Sequence, residues 1–84
     1  MARVVNDLGM HLRAAGAVVQ VAGRFKAEIW LEHDGNRVNG KSIMSVLSLA
    51  AARGAEISVQ AEGADAQEAV DAIILLIQHG FSMP

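Results

Sequence analysis

Between Leu8 and Gly16 the chain sets His11 and Arg13, separated by Leu12, where a turn gives way to an apolar helical stretch. An imidazole offers a nucleophilic nitrogen that is largely uncharged near neutral pH, and a guanidinium offers a permanent, fork-shaped cation. The first amides of a helix have no intrahelical acceptor. The aligned peptide dipoles also place partial positive charge at that end, so a phosphate is favoured there. Together these groups point to a phosphoryl group carried on His11, its oxygens held by the amides of Leu12 and Arg13 and by the Arg13 guanidinium. Taken alone, the same residues also read as an ordinary histidine near a helix cap and a solvated first-turn arginine.

Composition narrows the alternatives. The 84 residues carry a formal net charge of -2, and their basic side chains are scattered, which argues against a nucleic-acid module. There is no cysteine, hence no disulfide framework and no thiolate zinc site, and a reducing compartment, the cytoplasm, is the expected location. His33 and His79 lack a second ligand at metal spacing, so neither a metal nor a cofactor is expected. The segment Met1 to Asp7 has no signal-like apolar core, and the longest apolar run, Ala72 to Ile77, is too short to span a bilayer. A single domain, residues 1–84, acting as a monomer, is the expectation. Leu75 and Leu76 widen the apolar surface of the last helix, a feature that also fits self-association.

A framework must hold the reactive pair, and the hydrophobic pattern supplies one. Arg3 to Val5 reads as a short first strand, ended by Asn6-Asp7 and Gly9. Leu12, Ala15, Val18, Val19 and Ala22 recur at helical spacing and predict a helix from Leu12 to Ala22 with that stripe buried, closed by Gly23. Phe25, Ala27, Ile29 and Leu31 alternate with Lys26, Glu28, Trp30 and Glu32, the period of a half-buried strand. Asp34-Gly35 marks a hairpin turn, and Arg37 to Asn39 returns as a polar edge strand. Ser42 is placed to cap a second helix from about Ile43 to Ala52, ended by Gly54. Ala55 to Glu62 alternates as a fourth strand. Asp65 and Glu68 have capping-box spacing before a last helix with Ala69, Val70, Ile73, Ile74 and Ile77 as its core stripe and Gly80 as its stop. The order β-α-β-β-α-β-α, with the strands' polar residues on one side, predicts an α+β open-faced sandwich. Its four-stranded antiparallel sheet carries three helices on one face.

Three segments also carry a family likeness that extends over nearly the whole chain. Gly9-Met10-His11-Leu12-Arg13-Ala14-Ala15, then Val38 through Leu49 with its Lys41-Ser42-Ile43-Met44 run, then Gly54-Ala55-Glu56-Ile57, resemble the HPr family of histidine-containing phosphocarriers of the bacterial phosphotransferase system. The second segment is the more specific. The resemblance implies a phosphocarrier, not an enzyme. The δ1 nitrogen of His11 would receive phosphate from enzyme I, which draws it from phosphoenolpyruvate, and pass it to a sugar-permease or regulatory IIA domain. It also implies a regulatory phosphorylation at Ser42 by an HPr kinase/phosphorylase in lineages that have one. Two positions depart from the usual pattern: Leu12 replaces a small residue and Ala14 replaces proline. A looser first turn and a narrower choice of partners are the expected consequences.

Ser42 also reads as a plain helix cap, and the two roles are compatible. A phosphate there would set nearly two negative charges beside Ile43 and Met44. With Leu47, and with Leu12 across from them, these residues read as a partly exposed apolar docking patch near His11; core packing is the rival reading. Trp30 falls on the polar side of its strand, where cross-strand packing is expected. The alternative function is a regulatory interaction module controlled at Ser42 that does not feed sugar transport.

Overall fold

The computed structural model describes residues 1–81. Its elements are β1 (Ala2–Arg3), α1 (Leu12–Ala22), β2 (Glu28–His33), β3 (Asn36–Asn39), α2 (Ile43–Leu47), β4 (Glu56–Glu62) and α3 (Ala66–Gln78), in the predicted order. The strands form one sheet, β1-β4-β2-β3, with every neighbouring pair antiparallel. Ile29 and Leu31 of β2 and Ile57 of β4 turn to the helical side, where they share a core with Val18 of α1, Val46 of α2 and Ile73 and Ile77 of α3. Burying each of these side chains contributes about 1.5–3 kcal/mol. The intervening residues, among them Glu28, Trp30, Glu32, Ser58 and Gln60, lie on the open face. There the Arg37 guanidinium stacks 4.2 Å from the centroid of the Trp30 ring, the cross-strand packing expected of that residue.

The β2–β3 hairpin forms as its sequence demands. Asp34 and Gly35 both take positive φ, 52° and 78°, the geometry that matches the twist of the flanking strands. β1 is shifted by one residue from the expected Arg3–Val5. Ala2 and Val4 are the inward pair, and pairing continues through Val4, whose N–H donates to Ala55 O at 2.9 Å and whose carbonyl accepts from Gly54 N at 2.8 Å. α1 has the expected bounds but is rotated about its axis. Its buried side is Ala14, Ala15, Ala17, Val18, Val21 and Ala22, leaving Leu12 outside.

α2 is much shorter than the predicted helix to Ala52. Ala50 takes a left-handed φ of 49°, its N–H donates to Leu47 O at 3.1 Å, and the chain turns so that Ala51 and Gly54 can bond the segment from Val4 to Met10. Three consecutive alanines favour a helix locally; the tertiary bonds outweigh that preference. A left-handed alanine costs about 1 kcal/mol relative to glycine. Ala50→Gly is therefore expected to raise stability by about 0.5 kcal/mol after allowance for the looser unfolded chain, read as a higher denaturant midpoint at unchanged slope.

Asp65 does not form the predicted capping box. It precedes α3 at φ -104°, ψ 25° and makes no side-chain cap. Its carboxylate reaches across the fold and accepts from Lys26 N and Ala27 N, both at 2.8 Å, tying the entry of β2 to the entry of α3. Those bonds, that from Lys26 first, hold its pKa below the usual carboxylate value. Because the folded-state pKa is the lower one, this stabilisation is complete above the usual carboxylate range and is lost as the pH falls through the depressed value. Asp65→Asn is expected to lower Tm at pH 7. The gap to wild type should narrow as the pH falls below the usual carboxylate range, and a gap that stays constant through acidification would contradict the assignment.

Candidate functional site

α1 starts at His11, whose extended backbone (φ -86°, ψ 178°) stands just outside the helix while its carbonyl accepts the first helical bond, from Ala15 N at 2.9 Å. The side chain completes the cap. Nδ1 accepts from the N–H of Arg13 at 3.2 Å and of Ala14 at 3.4 Å. With Nδ1 in the acceptor role, the neutral ring carries its proton on Nε2, and the nucleophilic lone pair is the one aimed at the helix start. An N-cap side chain reaches the second and third helical N–H groups, which here belong to Arg13 and Ala14.

Three bonds fix the loop that delivers the ring. Asn6 Nδ2 donates to Gly9 O at 2.9 Å, Gly9 N to Asn6 O at 3.2 Å, and Met10 N to Ala51 O at 2.8 Å, while the Met10 side chain is buried in the core at 4 % exposure. His11 itself stays partly open to solvent.

Arg13 lies in the exposed first turn, which contains no acidic residue. Among the described residues Arg53 pairs with Asp7 and His33 Nε2 lies 3.6 Å from Asp34 Oδ2, so Arg13 is in neither contact. A cation at a helix N-terminus opposes the dipole, and among the described residues no carboxylate pairs with it; an incoming dianion would relieve both.

Ser42 caps α2 through its Oγ, which accepts from Ser45 N at 3.4 Å. Next to it, Ile43 is 38 % and Met44 70 % exposed, and the Ile43 side chain lies over Gly16, one turn along α1 from Leu12, itself 62 % exposed. These side chains make an apolar surface where the starts of the two helices adjoin. Leu47 is different: it is half-buried and packs against the core, as does fully buried Val46. Leu8, 78 % exposed, belongs among the exposed apolar residues of this region and was missed in the sequence. Its signal was there, as an apolar residue inside the turn-forming Asn6 to Gly9 segment where no core stripe claims it. The remaining histidines are accounted for locally. His33 Nδ1 sits 3.2 Å from Glu56 O, and His79 lies exposed at the end of α3. Among the described residues there is no group of three side chains able to hold a metal, and no helix is long and apolar enough to cross a membrane.

An open-faced sandwich that sets one partly exposed imidazole on the first amides of a helix, two residues before an arginine that is in no ion pair among the described residues, is a compact frame for a single histidine. Comparison with known proteins identifies the family. Residues 1–79 match the family described as PTS HPr component phosphorylation site. The chain is 45 % identical over 78 residues to the phosphocarrier protein HPr of Neisseria meningitidis, spanning 93 % of this chain and 88 % of that one. HPr from Thermoanaerobacter tengcongensis superposes with a TM-score of 0.90 at 39 % identity, over 98 % of this chain and 92 % of that one. Crh, the Bacillus subtilis catabolite repression protein seen as a swapped, intertwined dimer, follows with a TM-score of 0.80 at 37 % identity, over 99 % and 95 % of the two chains. The chain belongs to the HPr family: it is a phosphocarrier of the phosphotransferase system, not an enzyme.

Proposed function

We propose that Nδ1 of His11 is the phosphoryl acceptor, loaded by enzyme I and unloaded to a IIA domain. The observation that supports this above all others is the placement of that nitrogen's lone pair on the first-turn amides of α1, in a turn whose Arg13 is in no ion pair among the described residues. The neutral ring attacks phosphorus in line; the N–P bond forms as the donor's bond to phosphorus breaks, and the Nε2 proton stays in place. The phosphoryl oxygens then take over as acceptors for the amides of the first turn, Leu12, Arg13 and Ala14, and the guanidinium offsets their charge. Transfer onward is the reverse step on a new nucleophile.

In this role residues 1–84 act as one monomeric cytoplasmic domain without metal or cofactor. Leu12, Ile43 and Met44 supply the docking surface, with Leu47 supporting it from beneath. The bulk of Leu12 suits partners that offer an apolar recess at that point. Incubation with phosphoenolpyruvate and the host's enzyme I tests the reading. An acid-labile phosphate on His11 supports it, and a protein that binds enzyme I without gaining label contradicts it.

Ser42 is the proposed control point, the substrate of an HPr kinase/phosphorylase. Aspartate caps helices about as well as serine, so Ser42→Asp preserves α2 while placing charge beside Ile43 and Met44. Acceptance from enzyme I is expected to slow by about tenfold or more, and equal rates for the two proteins would remove this role. A second reading, an HPr-like regulator controlled at Ser42 that feeds no permease, is favoured by the likeness to Crh, whose name ties it to catabolite repression. Retained partner binding with no His11 label is the result that would select it.

A further inference from the structure

The methionines of this chain occupy opposed environments. Met10 is sealed in the core, Met1 precedes edge strand β1, and Met44 stands on α2 with most of its side chain in solvent. Met83 lies outside the described residues. Met44 follows Ser42, which caps α2, and Ile43, which rests on α1 at Gly16, so its exposed thioether belongs to the apolar surface where the starts of the two helices adjoin. Nothing in the fold requires a methionine there, since Val46 and Leu49 supply the buried side of this segment.

We infer that Met44 is an oxidisable site through which peroxide weakens docking at the phosphoryl-transfer surface. This rests on the docking role proposed above. The sulfur lone pair attacks one oxygen of hydrogen peroxide, the O–O bond breaks, an S–O bond forms and water leaves; the thioether is oxidised by two electrons and the peroxide is reduced by two. The sulfoxide replaces a flexible apolar contact with a strong dipole that a partner's apolar surface buries without a hydrogen bond. His11, Arg13 and the amides of α1 are left chemically unchanged, so the effect falls on encounter with the partner and not on the bonding steps. A thiol-dependent methionine sulfoxide reductase reverses it, which makes the modification a switch and not damage.

The test treats the whole protein with dilute hydrogen peroxide, reads the oxidised positions by peptide mass, and measures phosphoryl acceptance from enzyme I and phosphoenolpyruvate before and after. Each protein is compared with its own untreated sample. Expected are preferential oxidation of Met44 over Met10 and a fall of about tenfold in kcat/KM carried mainly by KM, restored by the reductase. Met44→Leu, still oxidisable at its other methionines, should keep its own rate through the same treatment. Three results would overturn the inference: Met10 oxidised as readily as Met44, an unchanged rate after Met44 is converted, or a Met44→Leu protein that slows equally. If the untreated protein takes no phosphate, the carrier reading fails instead. The inference then still stands or falls on enzyme I affinity measured directly with and without the sulfoxide.

Discussion

His11→Asn is expected to abolish the acid-labile phosphate while leaving the fold at least as stable as before. Asparagine is among the best N-cap residues and can accept from the same amides of Arg13 and Ala14 that now bond Nδ1. It therefore separates the two roles of the residue, cap and nucleophile, which alanine would remove together. Arg13→Ala should retain the acceptor but lose the cation that offsets the phosphoryl charge, and kcat/KM is expected to fall by about 10²–10³, the size found when one preorganised donor to a developing anion is deleted. Its stability should rise slightly, because an uncompensated cation leaves the positive end of α1. Thermal unfolding beside a radiolabel assay reads both quantities. Label on the His11→Asn protein, or an Arg13→Ala protein as fast as wild type, would contradict the assigned roles.

The second large effect is expected at Gly9. Its φ of 64° lies in the left-handed region, and a Cβ built there would collide with Ala51 O, the oxygen that accepts from Met10 N. Backbone cannot swing aside as a side-chain end can. Gly9→Ala therefore combines the left-handed penalty with a steric push on the bond that anchors the loop before His11, for a loss of about 3 kcal/mol. Gly35→Ala is the matched control. It has a similar φ of 78° but nothing within 4 Å of the added carbon, so it should cost only about 1 kcal/mol. Phosphoryl acceptance should drop in the first variant and hold in the second, since only Gly9 lies on the path that positions the imidazole. Equal stability losses in the two would show that the contact with Ala51 is not what matters.

How much of this was legible in the residues depends on whether the deciding contacts were local. The hairpin at Asp34-Gly35, the alternation through Ile29 and Leu31, the Ser42 cap and the bounds of α1 are set by neighbours a few residues away, and all of them read correctly. The failures share a different origin. Asp65 has the spacing of a capping box with Glu68, yet its carboxylate is used by Lys26 and Ala27, 39 and 38 residues away, a demand that no local pattern records. α2 stops at Leu47 because the chain must turn back to bond Val4 and Met10, although Ala50 to Ala52 alone favour continuing. Leu12 fits a helical stripe by spacing, but α1 presents its small alanines to the core and turns Leu12 out, a rotation that depends on how α2 and α3 pack against α1 and not on local spacing. At the site, the identity and helix-start position of His11 were readable. The exposure of Leu8 was not read.

The single tryptophan of the chain lies on the face of the sheet turned away from the helices, shaded by Arg37. Its emission is thus a built-in optical gauge of the β2–β3–β4 ribbon, separated by the whole thickness of the sheet from the layer in which His11 and Ser42 lie. A titration that leaves this signal still while phosphorus is being exchanged has stayed local. One that moves it has strained the far side of the molecule.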